Sequence, residues 1–112
     1  MMSSREHEEL VFVVDVSSFT DRGFLGSSNF AGERVDVEFD DRNEGLILSS
    51  EMAEMIHVRA GSKVIVILEN EERPLVSESV IKSVGVKLRV SDEKTYYFVG
   101  RTGGGIIRIR KK

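Results

Sequence analysis

From Arg34 to Asp40 the chain alternates without a slip, with Val35, Val37 and Phe39 on one side and Asp36, Glu38 and Asp40 on the other. A period of two marks a strand with one face buried, so this segment is expected to show a row of carboxylates to water. Short β-rich runs recur along the rest of the chain between turn residues. Leu10 to Val16 contains Val11-Phe12-Val13-Val14, apolar on both faces. Leu46 to Leu48, Lys63 to Leu68, Tyr96 to Val99 and Ile106 to Ile109 read the same way, and Val76 to Val90 does so with a break near Gly85. Only residues 50–57 read as a helix. Ser49 or Ser50 can cap it, Glu51 and Glu54 suit its dipole, and Met52, Met55 and Ile56 supply a buried face. The pattern predicts a mostly β fold: a small six- to eight-stranded barrel or sandwich with one short helix at about 50–57.

Two connections stand out. Asp41 to Gly45 reads as a hairpin turn, and Asn70 to Pro74 as a charged turn closed by the only proline. Residues 17–32 form a sixteen-residue stretch without periodicity, long for a connection in a compact domain. Its phenylalanines, Phe19, Phe24 and Phe30, are placed to plug one end of a barrel or to line a ligand cleft, and a short strand fits around Phe24.

A chain of 112 residues has room for one domain and one core. The expected organisation is a disordered polar tail over residues 1–9 and a single β-barrel-like domain over 10–112, with no second domain and no repeat of clear period. The sequence has no cysteine, which rules out disulfides, thiolate catalysis and cysteine-bound zinc and favours a reducing, cytoplasmic setting. The polar, acidic start does not resemble a signal peptide, and no apolar run exceeds the five residues of Val64 to Leu68, far short of a membrane span. A soluble protein without membrane attachment is expected.

The candidate chemical motifs each have a plainer explanation. Asp40-Asp41-Arg42-Asn43-Glu44-Gly45 is spaced like a calcium loop, but Arg42 stands where an oxygen ligand belongs and Leu48 fills another ligand position. Glu54-Met55-Ile56-His57 gives one Glu-x-x-His step where a di-iron site needs two on long helices. Gly100-Arg101-Thr102-Gly103-Gly104-Gly105 offers N–H groups to a phosphate, yet no lysine follows, and a hairpin turn between the last two strands accounts for it. Phe24, Phe30, Gly103 and Gly104 therefore mark a candidate small-ligand or phosphate site, the weakest of the functional readings. No catalytic residues, metal ligands or cofactors are expected, and the chain reads as non-enzymatic.

Charge distribution is the strongest remaining signal. Residues 1–79 hold 17 acids and 7 bases, whereas residues 80–112 hold 2 acids and 9 bases. Separated charge either marks binding faces or neutralises itself within one fold or across a dimer. On Val86 to Val90 and on Ile107 to Arg110 the cations share one side, so strands bordering Tyr96 to Val99 would show Lys87, Arg89, Arg108 and Arg110 beside a tyrosine, with Arg101 near. The expected function is a binding or assembly domain with opposed acidic and basic faces. A protein partner or self-association, including a homodimer, is favoured over nucleic acid, because the pI of 5.4 suits a nucleic-acid binder poorly. Nucleic-acid binding by those five cations is the alternative.

One resemblance bears on the fold. Residues 34–69 combine the alternating strand Val35 to Phe39, then Glu44-Gly45-Leu46-Ile47-Leu48-Ser49, the helix Glu51 to His57, and Val58-Arg59-Ala60-Gly61-Ser62-Lys63-Val64-Ile65-Val66. This resembles the strand–strand–helix–strand unit of the cradle-loop barrels, which include swapped-hairpin DNA-binding proteins of the AbrB type and the RIFT-type barrels. Gly61 matches the family's Gly-Asp turn and Ser62 departs from it. The resemblance implies a barrel and, for AbrB-like members, DNA binding. The many carboxylates around Arg42, Arg59 and Lys63 oppose a grip on phosphates.

Overall fold

The computed structural model describes residues 8–69 and 74–112. Eight strands close into a barrel: β1 (Glu9–Phe19), β2 (Gly23–Phe30), β3 (Glu33–Asp40), β4 (Gly45–Ser49), β5 (Lys63–Glu69), β6 (Leu75–Gly85), β7 (Leu88–Ser91) and β8 (Gly104–Lys111). Around the ring they run β1-β2-β3-β7-β4-β6-β5-β8. Two helices complete the fold, α1 (Ser50–Met55) and α2 (Glu93–Thr102). The interior is filled by alternate residues, among them Leu10, Phe12 and Val14 of β1, Val37 and Phe39 of β3, and Val64, Val66 and Leu68 of β5. The expected tail over residues 1–9 falls outside the described residues as far as residue 7, and β1 already begins at Glu9. The charged turn expected from Asn70 lies outside them up to residue 73.

Residues 17–32 are mostly strand rather than loop. β1 continues to Phe19 through an irregularity between Val16 and Ser18, and β2 pairs with both β1 and β3. Gly26 and Ser28 fill inward positions where apolar residues would have signalled a strand. A Cβ on Gly26 would lie 2.5 Å from Val14 Cγ1, so the site is small because the core is tight. Ala31 and Gly32, at φ 53° and 84°, form the two-residue turn that joins β2 to β3.

Asp41 to Glu44 is not a hairpin turn. β3 and β4 do not pair; β7 lies between them, parallel to β3 and antiparallel to β4. Tyr96 to Val99 is helix, not strand. Asp92 caps α2 by accepting from the Thr95 N–H at 2.9 Å, and Gly103, at φ 77°, ends it in the left-handed conformation. The glycine run is therefore a helix end entering β8. α1 is capped by Ser49, as expected, and buries Met52 and Ala53, with Ile56 buried at its C-cap. Met55, expected inside, is exposed.

The topology contains a repeat that the sequence hides. β3-β4-α1-β5 and β6-β7-α2-β8 have the same order, and the parallel pair β3–β7 is matched by the parallel pair β6–β4. β4–β7 and β5–β8 pair antiparallel across the two halves. The β1–β2 hairpin is the addition, inserted between β8 and β3.

Candidate functional site

The five cations named from the sequence do not share a face. β7, carrying Arg89, and β8, carrying Arg108 and Arg110, stand on opposite sides of the ring, and the tyrosines meant to lie between them are on α2. Closure of the barrel separates two strands that sequence order brings near each other.

The acids of the first part of the chain meet the bases of the last. Lys87 binds Glu38 at 3.0 Å, Lys82 binds Glu44 at 3.1 Å, and Lys112 binds Glu78 at 2.8 Å. Arg108 binds both Glu9 and Glu69 at 3.0 Å. The charge split thus neutralises itself within the fold at these residues, and among the described residues the exterior is a mosaic rather than two opposed faces. Arg101 and Arg110 form no ion pair among the described residues.

Where β3, β7 and β4 meet, a polar cluster is built into the wall. Asp40, expected in water, is 8% exposed. Arg89 donates from Nε to its Oδ2 at 2.9 Å and from Nη2 to Glu44 Oε1 at 2.9 Å. The Arg42 N–H donates to Asp40 Oδ1 at 3.1 Å, the Ser91 hydroxyl donates to the same oxygen, and the Glu44 N–H donates to Ser91 Oγ at 3.2 Å. These partners hold the crossover in place and occupy the carboxylate, so the segment spaced like a calcium loop is bound to protein groups. Among the described residues no cluster of three or more metal-ligating side chains occurs.

At the end of the barrel near α2, aromatic rings form a ladder. Phe24 is buried against Phe39 and Tyr96, each at 5.1 Å, and Phe19 meets Phe24 edge-on at 6.2 Å. Phe24 therefore plugs the barrel. Tyr97 continues the ladder outward, and Phe19 is 79% exposed. Gly103 accepts a hydrogen bond from Val16 N–H at 3.1 Å, and Gly104 packs directly on the Val14 carbonyl. Phe30 stacks on Phe12 at 5.6 Å.

The outer wall of β1, β8, β5 and β6 carries the feature that sequence reasoning missed. Strand pairing sets Val13 beside Ile106, and in the next row Val11, Arg108, Ile67 and Val76. A third row runs Glu9, Arg110, Ile65 and Glu78, and Lys63 pairs with Val80 beyond it. Val13 and Val76 are 61% and 58% exposed. The signal was present in Val11-Phe12-Val13-Val14 and Val64 to Leu68, whose double-sided apolar character suggests burial on both faces. The barrel covers only one of them.

On this wall the Lys112 ammonium hydrogen-bonded to Glu78 holds that carboxyl below its ordinary value. A depressed folded-state pKa contributes stability above the ordinary glutamate range and loses it as pH falls through the lowered value. Lys112→Ala is expected to raise the Glu78 pKa toward the ordinary glutamate range, with Lys63 still acting on it, read by carboxyl NMR. An unchanged titration would mean that Lys112 is not the cause.

No family model matches the chain, and no match to it was found among curated proteins or solved structures. No helix among the described residues is long and apolar enough to cross a membrane.

Proposed function

We propose that this barrel is a non-enzymatic assembly module whose working surface is the outer wall of β1, β8, β5 and β6, and that it docks a second copy of itself there. The observation that carries the reading is the run of outward aliphatic side chains across four adjacent strands, from Val13 to Val76. Contiguous apolar surface on a small barrel is a mark of a docking site. Charge favours a second copy, because Glu9, Glu69 and Glu78 on this wall stand among Lys63, Arg108, Arg110 and Lys112. A surface carrying both signs can complement itself about a two-fold axis.

Sedimentation velocity over a dilution series tests this. A reversible dimer is expected. Val13→Asp and Val76→Asp point outward and leave the core intact, so each should give a folded protein with weaker association. Burying a valine contributes roughly 1.5–3 kcal/mol and a two-fold axis counts each site twice, so a loss of about a hundredfold or more follows. A strict monomer at millimolar protein would overturn the reading.

A second reading, binding of single-stranded nucleic acid, is favoured by the exposed rings of Phe19 and Tyr97 together with Arg101, which lies one helical turn beyond Tyr97. Such strands are held by base stacking on aromatic rings beside cations. Fluorescence anisotropy at about 50 mM salt with single- and double-stranded oligonucleotides should show preference for the single strand. Tyr97→Ala should then weaken binding about tenfold. No binding at micromolar protein would end this alternative. The cradle-loop resemblance is likewise proposed for the chain, and the strand–strand–helix–strand order occurring twice supports it.

A further inference from the structure

The barrel wall is incomplete beside the outer half of β3. β3 pairs with β7 only from Val37 to Asp40, opposite Leu88 to Ser91. Continuing that parallel register would set Val86 against Val35, but the chain bends at Val86 and Lys87 and leaves the ladder there, with Val86 99% exposed. On its other side β3 is paired with β2 down to the Phe30–Glu33 pair that closes the two-residue turn. In an antiparallel ladder closed by such a turn, alternate residues exchange hydrogen bonds with the partner strand. Val35 therefore faces its backbone groups to β2, while both backbone groups of Arg34 and the N–H of Asp36 face the gap; the Asp36 carbonyl is taken by the first β7 pair, Val37 with Leu88.

The gap opens into a groove of about 580 Å³ that wraps around this edge, within the range of real binding pockets. Its inner side is apolar, formed by Phe30, Val35, Met52 and Leu88. Its outer side is acidic: Glu33, Asp36, Glu38 and Glu51 outnumber Arg34 and Lys87. The two cations are already engaged, Arg34 with Asp36 and Lys87 with Glu38.

We infer that this groove takes an extended peptide that adds a short strand to the edge of β3, with apolar and basic residues alternating along it. The N–H and C=O of Arg34 and the N–H of Asp36 supply the main-chain hydrogen bonds, as in other cases of strand addition. The period of two in the added strand sends alternate side chains to opposite sides. One set enters the apolar floor, and the other reaches Glu33 and Glu51. The same acidic rim repels nucleic acid. The site lies apart from the β1-β8-β5-β6 wall and does not depend on self-association.

The test uses a fluorescein-labelled hexapeptide alternating valine and lysine, added to the full chain carrying Val13→Asp so that any dimer is suppressed. Anisotropy should show saturable binding at least about tenfold tighter than for the valine–glutamate peptide. N-methylation of alternate backbone nitrogens in the better-binding register should abolish it. The double variant Glu33→Lys, Glu51→Lys should weaken binding about tenfold while remaining folded by circular dichroism, since both side chains are exposed and the charge reversal at the start of α1 costs only about 1 kcal/mol. Amide exchange at Arg34 and Asp36 should slow on peptide addition. The inference is overturned by no binding, by equal binding of the lysine and glutamate peptides, or by exchange at Arg34 and Asp36 that saturating peptide leaves unchanged. Binding that the double variant does not weaken overturns it as well, because the peptide would then be held without the Glu33 and Glu51 carboxylates.

Discussion

Asp40→Ala is expected to lower the unfolding free energy by about 3–5 kcal/mol, the usual result of breaking a buried ion pair from one side. A domain of this size has only about 5–15 kcal/mol in total, so the variant should lose a large share of its stability. The loss has three parts. Arg89, with its side chain 20% exposed, loses its closest carboxylate. The Ser91 hydroxyl and the Arg42 N–H lose their shared acceptor. The crossover that carries the chain over β7 loses its anchor. Urea denaturation measures the effect. The double variant Asp40→Leu, Arg89→Met decides its origin, because replacing both partners with apolar groups is often neutral or stabilising by about 1–4 kcal/mol. A single-variant loss below about 1 kcal/mol, the range of exposed pairs, would show that the cluster is solvated.

Gly104→Ala is the second large effect. A Cβ at this position would lie 2.1 Å from the Val14 carbonyl oxygen, and φ is +155°. Backbone strain of about 1–3 kcal/mol and overpacking of a further ~1–3 kcal/mol should combine to separate β8 from β1. Gly103 is the control. It too has a positive φ, 77°, but nothing lies within 4 Å of the added carbon, so Gly103→Ala should cost only about 1–2 kcal/mol. Equal losses from the two variants would mean that backbone conformation alone, and not contact with β1, sets the cost.

The barrel was legible because inward and outward residues alternate so regularly in β3, and in β5 if its outward isoleucines are set aside. The first helix was legible from Ser49 and its two following glutamates. α2 was not, because Tyr96-Tyr97-Phe98-Val99 has the composition of a strand. Its ends carried the true signal: Asp92 three residues before Thr95, and Gly103 after the last turn. Strand order could not be read, since the parallel partner of β3 lies about fifty residues away with no local mark of the pairing. That loss mattered most for function. It set Lys87 and Arg89 on one side of the ring and Arg108 and Arg110 on the other, dissolving the single basic face. The apolar wall was visible as residues but not as a surface, because only closure decides which of two apolar faces remains outside.

The first and last strands of the ring, β1 and β8, pair over seven positions from Glu9–Arg110 to Asp15–Gly104. Contacts of such long sequence separation form late and slow the search for the native state. During synthesis the interior therefore stays open to solvent until nearly the whole of this sequence has left the ribosome. The same juxtaposition makes a circular permutant, rejoined beside Glu9 and Lys111 and opened at the exposed Ala31–Gly32 turn, a route to a barrel that closes in a different temporal order.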